Sequence, residues 1–169
     1  MEIDKVIHLL EKNRLVFHSM LLGISYDFRL WRPAIDKWNL HEIVCHLLDE
    51  EQLDFRARIK HVLESADKPM PSINPTGWVK EKNYASWDFE KTIDLFLNER
   101  KQSIIFLKGL QMVNWQSVYH HPTLGALSAE QFLYNWLAHD YLHIRQINRY
   151  HYLFLKEKSG IDLSYAGDW

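Results

Sequence analysis

The chain has 169 residues, of which 47% are hydrophobic, 25% charged and 14% aromatic, with 7 Trp; that is enough apolar material to bury a core without disulfide staples. Only 6 Gly and 5 Pro leave little room for linkers or disorder. A formal net charge of -2 gives no long-range attraction for phosphate backbones or anionic lipid, which argues against nucleic acid as a partner.

Ile3, Ile7, Leu10, Phe17 and Leu21 fall near helical spacing, with Glu11, Lys12 and Arg14 between them, and predict a first helix over 3–22. A connector follows, with Gly23 near its start and Arg32-Pro33 within it. Asn39 reads as a cap and Glu42 as its capping-box partner. From there Ile43, Leu47, Leu48, Leu53, Ile59 and Val62 predict a second helix running to about Glu64. Lys68 to Thr76 holds Pro69, Pro71 and Pro75 and reads as a loop.

Asp88 is the predicted cap of a third helix that runs to about Leu107 and ends at Gly109. His120 to Gly125 reads as a turn or loop. Ser128, with Gln131 in the box position, caps a last long helix to about Leu155. The tail over 156–169 has no clear periodicity. Four long helices, no alternating strand and polar connections predict one all-α domain over 1–169. Its architecture is an antiparallel four-helix bundle with its core over about 3–155.

The single Cys45 excludes an internal disulfide framework and points to reducing cytoplasm. Met1 leads into Glu2 and Asp4 with no signal-like progression, and runs such as Met20-Leu21-Leu22 are too short to span a bilayer. The expected location is cytoplasmic, with no membrane partner.

Chemistry is concentrated in the histidines, of which there are 10. His139 and His143 are four apart, so a helix sets them about 40° from each other on one face, where two imidazoles can share an ion. Phe132, Asn135, Gln146 and Tyr150 lie on the same stripe. Spacing alone equally allows core histidines satisfied by the amides of Asn135 or Gln146. On the second helix, His46 shares a stripe with Glu42, Asp49, Glu50 and Leu53. A third imidazole from a facing helix would complete a three-ligand site. Asp49 or Glu50 could orient an imidazole, bind an ion or accept a proton, or both could belong to a solvated acidic face. His41 and His46 do not form a zinc-protease motif, because five residues turn them about 140° apart. Cys45 lies about 100° from His46 and reads as a packed thiol.

Two segments carry a resemblance. Trp38-Asn39-Leu40-His41-Glu42-Ile43-Val44-Cys45-His46-Leu47-Leu48-Asp49-Glu50-Glu51 resembles the opening of the second helix in the DinB/YfiT-like superfamily, and His139-Asp140-Tyr141-Leu142-His143-Ile144-Arg145-Gln146-Ile147 is similar to its last-helix signature. Trp87 entering a helix that contains Arg100, and His121-Pro122 ahead of Gly125 and Ser128, also match the pattern, so the likeness covers roughly residues 5–150 in order. The resemblance implies a metal-binding four-helix bundle, often a homodimer, with a divalent ion, commonly zinc or nickel, held at the positions of His46, His139 and His143. It also implies a small-molecule enzyme: family activities include transfer to low-molecular-weight thiols, a thiol-dependent isomerisation and metal-dependent hydrolysis. Thiol S-transfer is the first expectation and hydrolysis the next, with Asp49 or Glu50 as proton acceptor. The alternative is a non-catalytic bundle in which an ion braces two helices.

Overall fold

The computed structural model describes residues 2–167; Met1, and Asp168 and Trp169 at the end of the tail, lie outside the described residues. The first apolar stripe forms α1 (Ile3–Leu21), which buries Val6, Ile7, Leu10, Asn13, Phe17 and Leu21. Gly23 then takes a φ of +71, a conformation that costs glycine little, and the chain turns into the short α2 (Tyr26–Leu30).

The predicted capping box starts α3 (Leu40–Leu53): the Asn39 side chain accepts from the Glu42 N–H, and the Glu42 carboxylate accepts from the Asn39 N–H, both at 2.9 Å. The continuous helix expected out to Glu64 is not found. Asp54 leaves helical angles (φ -113, ψ -99) and a separate α4 (Phe55–Glu64) follows. Leu53, counted on the apolar side of an unbroken helix, is 41% exposed, whereas Phe55, Ile59 and Val62 are buried. The break therefore re-aims the second segment, and Phe55 stacks on Trp136 at 5.7 Å.

The proline-rich stretch carries no helix or strand, as expected. It is tied down where the Met70 N–H donates to the Tyr119 hydroxyl and where Arg58 donates to the Pro71 carbonyl. A short α5 (Trp78–Glu81) and a single 3-10 turn at Tyr84–Ser86 bury Trp78 and Tyr84 against Cys45. Asp88 accepts from the Lys91 N–H at 2.7 Å and opens α6 (Phe89–Gly109).

The segment read as a plain turn is instead a small antiparallel hairpin of β1 (Val118–His121) and β2 (Gly125–Ser128), with Val118 opposite Ser128 and His121 opposite Gly125. Only Tyr119 of β1 points fully inward, too short an alternation to announce a strand. Ser128 caps α7 (Ala129–Ser159) through the Gln131 N–H. This helix runs a turn past its predicted end and stops at Gly160, whose φ of +63 closes the C-terminus.

Four rods make the bundle: α1, the α3–α4 pair, α6 and α7. In it α1 packs on both α6 and α7, α3 on α6, and α4 on α7. The hairpin is a minor addition to an all-α, antiparallel four-helix architecture. One apolar cluster gathers Phe17, Leu47, Phe96 and Ile147; a second gathers Leu10, Phe55, Ile104 and Trp136. On every rod the residues between these clusters are polar, and they form the layer described next. Among the described residues, no helix is long and apolar enough to cross a membrane.

Candidate metal centre

His139 and His143 lie one turn apart on α7 with their Nε2 atoms 3.1 Å from each other. From α3, the His46 ring meets them at centroid distances of 5.5 and 5.1 Å. One ring nitrogen from each of the three falls within 4.8 Å of the others. Trp38 lies against His46 at 4.8 Å and Phe55 against His139 at 5.1 Å, so the cluster is walled by aromatics. The break at Asp54 is what brings Phe55 there.

Burial sets the electrostatics. It is the largest cause pushing His46 down to about 3, with His143 adding to it. It pushes His139 to about 2, helped by His143, His46 and Arg100. His143 is pushed to about 4, against the opposing pull of Gln146 and Asp140. All three imidazoles are neutral at pH 7, the form that offers a lone pair to a metal. His46 Nδ1 and His143 Nδ1 are buried with no hydrogen-bond partner. Two nitrogens bound to one ion at about 2.0–2.1 Å sit roughly 3.3 Å apart in a tetrahedral arrangement, close to the spacing of the α7 pair. The donor set fits a divalent ion.

The alternative of histidines satisfied by amides fits less well. Asn135 is exposed and donates to the Gln131 carbonyl at 2.8 Å, which leaves Gln146 as the amide beside His143. The solvated acidic face is not found either, since Asp49 and Glu50 are 3% and 4% exposed. Asp49 has both oxygens engaged, by Lys82 Nζ at 2.7 Å and the Tyr84 hydroxyl at 2.6 Å, and so faces α5 and the turn after it. Glu50 is the carboxyl beside the cluster, with Oε1 3.8 Å from His46 Nδ1. Burial, with Asp54 adding to it, pushes Glu50 up to about 9.

One group of residues around the cluster escaped the periodicity reading. Arg100, fully buried on α6, donates to both oxygens of Asp140 at 2.7 and 2.8 Å and to Glu51 at 2.9 Å. Asn13 of α1 donates to Asp140, and Trp136 donates to Glu51. All four rods meet in this layer, and Asp140 adjoins His139 in the chain. The available signal was three charged residues at positions that helical spacing assigns to the core, which demands that they pair.

The remaining histidines take other tasks. His41 packs on Phe89 at 5.6 Å, away from the cluster. His121 Nδ1 accepts from the Thr123 and Leu124 N–H groups and closes the hairpin turn. Cys45 is a packed thiol, which burial above all pushes up to about 12. A cavity of about 900 Å³ opens beside the cluster, lined by His143 but not by His46 or His139.

The family model of the DinB superfamily matches residues 9–147, a span that includes all three histidines. Among solved structures, the chain is similar to YfiT from Bacillus subtilis, described as a probable metal-dependent hydrolase with an unusual four-helix bundle topology. The TM-score is 0.79 at 18% identity, covering 95% of this chain and 89% of that one, a likeness of fold. Comparison with curated proteins found no match. With most of its length matched to the family model, the chain belongs to the DinB superfamily.

Proposed function

We propose that the chain holds one divalent ion, zinc or nickel, through His46, His139 and His143, and acts as a metal-dependent enzyme on small molecules. The observation that carries this reading is the convergence of three neutral imidazoles, two buried and His139 half-buried, with His143 lining a cavity. When bound, such an ion lowers the pKa of a thiol or water next to it and supplies a nucleophile near neutral pH. Trp38 and Phe55 keep water off the imidazoles and fix their planes. Glu50 stands beside His46 with Oε1 3.8 Å from Nδ1, where it can hold a proton. Asp49 is a positioning residue that anchors Lys82 and Tyr84.

Transfer to a low-molecular-weight thiol is the first reading, supported by the family's known activities; the same resemblance supports a cytoplasmic homodimer. Hydrolysis is the second, favoured by the description of YfiT. The test is a turnover screen of several low-molecular-weight thiols with electrophilic acceptors, run beside ester and amide substrates, on zinc- or nickel-loaded protein and on chelated protein. Turnover that falls at least tenfold on chelation is expected. Equal turnover in both preparations, or none with any substrate, contradicts the enzyme reading and leaves a metal that only braces helices. Glu50→Gln is expected to lower kcat by about tenfold or more at full metal content; unchanged kcat removes Glu50 from the chemistry.

A further inference from the structure

The cavity beside His143 carries a charge pattern that the metal reading does not use. Its wall includes Lys37 from the connector before α3, and Arg145 and Arg149 from α7, with no acidic residue among its lining. Arg145 and Arg149 are exposed and one helical turn apart. Like charges at that spacing repel and weaken a helix, so the pair runs against the interest of α7. Neither guanidinium has an ion pair, hydrogen bond or cation–π contact among the described residues. Other arginines of the chain have found acids: Arg32 pairs with Glu42, Arg56 with Glu99 and Arg58 with Asp54. Lys37 does have a partner, Asp36 at 2.9 Å, but both side chains are mostly exposed and the pair lies open to exchange.

We propose that this wall binds the oxyanion of a small-molecule substrate, a carboxylate or phosphate group, so that the compound presented to the histidine cluster is an anion. Two guanidinium forks and an ammonium at one cavity mouth match a planar or tetrahedral oxyanion, and forks bind it with two parallel donors. No acidic residue lines the wall to compete for the two guanidinium groups, and only Lys37 has an acid, Asp36, beside it. His143 lines the same cavity, so an anion held by Arg145 and Arg149 keeps the remainder of the molecule next to the cluster. The proposal rests on the metal reading for where the reacting end sits, but the oxyanion contact depends only on the cations.

The test is calorimetric titration of zinc-treated and chelated protein with succinate, inorganic phosphate and neutral succinamide, together with the zinc content of each sample. Wild-type protein is expected to bind at least one of the two anions and not succinamide. Which anion binds tells a carboxylate from a phosphate preference. The R145A/R149A variant is expected to bind that anion at least tenfold more weakly with unchanged zinc content, and Lys101→Ala, on α6, to bind as wild type does. Equal affinity in R145A/R149A and wild type, or no binding of either anion, overturns the proposal. Binding that depends on the arginines in a protein that takes up no zinc supports the anion site and sinks the metal reading instead.

Discussion

Each imidazole of the cluster exchanges water for aromatic and imidazole neighbours on folding, and this has a cost that depends on pH. Histidine in the unfolded chain titrates near 6.5, whereas His46, His139 and His143 resist protonation to about 3, 2 and 4. Below pH 6.5 the unfolded state therefore binds more protons, and stability falls as the solution is acidified. Glu50 acts in the opposite sense: its folded pKa is raised from 4.5 to about 9, so its contribution is complete below 4.5 and is lost as pH rises towards 9. Between pH 4.5 and 6.5 three histidines outweigh one carboxyl. The metal-free protein is expected to lose at most about 3 kcal/mol per pH unit on acidification through that window, read by urea unfolding. A flat or rising stability there contradicts the placement of the imidazoles. Of these residues, the shared helix face of His139 and His143 was legible from their spacing, but a ligand role for the pair was not, since core histidines have the same spacing. The choice between Asp49 and Glu50 was not, because both fall near the His46 stripe, and it is Lys82 and Tyr84, more than thirty residues away, that claim Asp49.

Caps made the helical elements legible one at a time. Asn39, Asp88 and Ser128 each accept the backbone N–H expected of them. Asn39→Ala is expected to cost about 1 kcal/mol in urea unfolding, because the Glu42 N–H loses its side-chain acceptor while the Glu42 carboxylate keeps the N–H of residue 39. No change would mean that the Arg32–Glu42 clamp alone holds that turn. The break at Asp54 had no such signal. No glycine or proline marks it, and the apolar residues on either side each fit a helix; only their burial against α6 and then α7 shows that one axis cannot serve both. The hairpin escaped for want of length, with a single buried residue on its first strand.

For the whole molecule, the polar layer around Arg100 decides how the four rods register. Its partners Glu51 and Asp140 stand 49 and 40 residues away in sequence, a distance at which periodicity carries no information about pairing. Burial lowers the Arg100 pKa less than Asp140 and Glu51 together raise it, so the guanidinium keeps its charge. Arg100→Met strands two carboxyl groups in the core and is expected to cost about 3–5 kcal/mol. Replacing all three (E51L/R100M/D140L) is expected to restore most of that stability, since the desolvation penalty goes with the charges. A loss in Arg100→Met below about 1 kcal/mol would show that the layer does not hold the rods together.

The same layer places Asp140 next to His139, so the bundle's register and the histidine cluster are one construction. Elemental analysis of the purified protein and of His139→Ala tests that construction most directly. The expected result is about one zinc or nickel ion per wild-type chain and a loss of most of it in His139→Ala. A wild-type protein with no stoichiometric transition metal, or a His139→Ala variant that keeps a full ion per chain, would contradict the proposed centre.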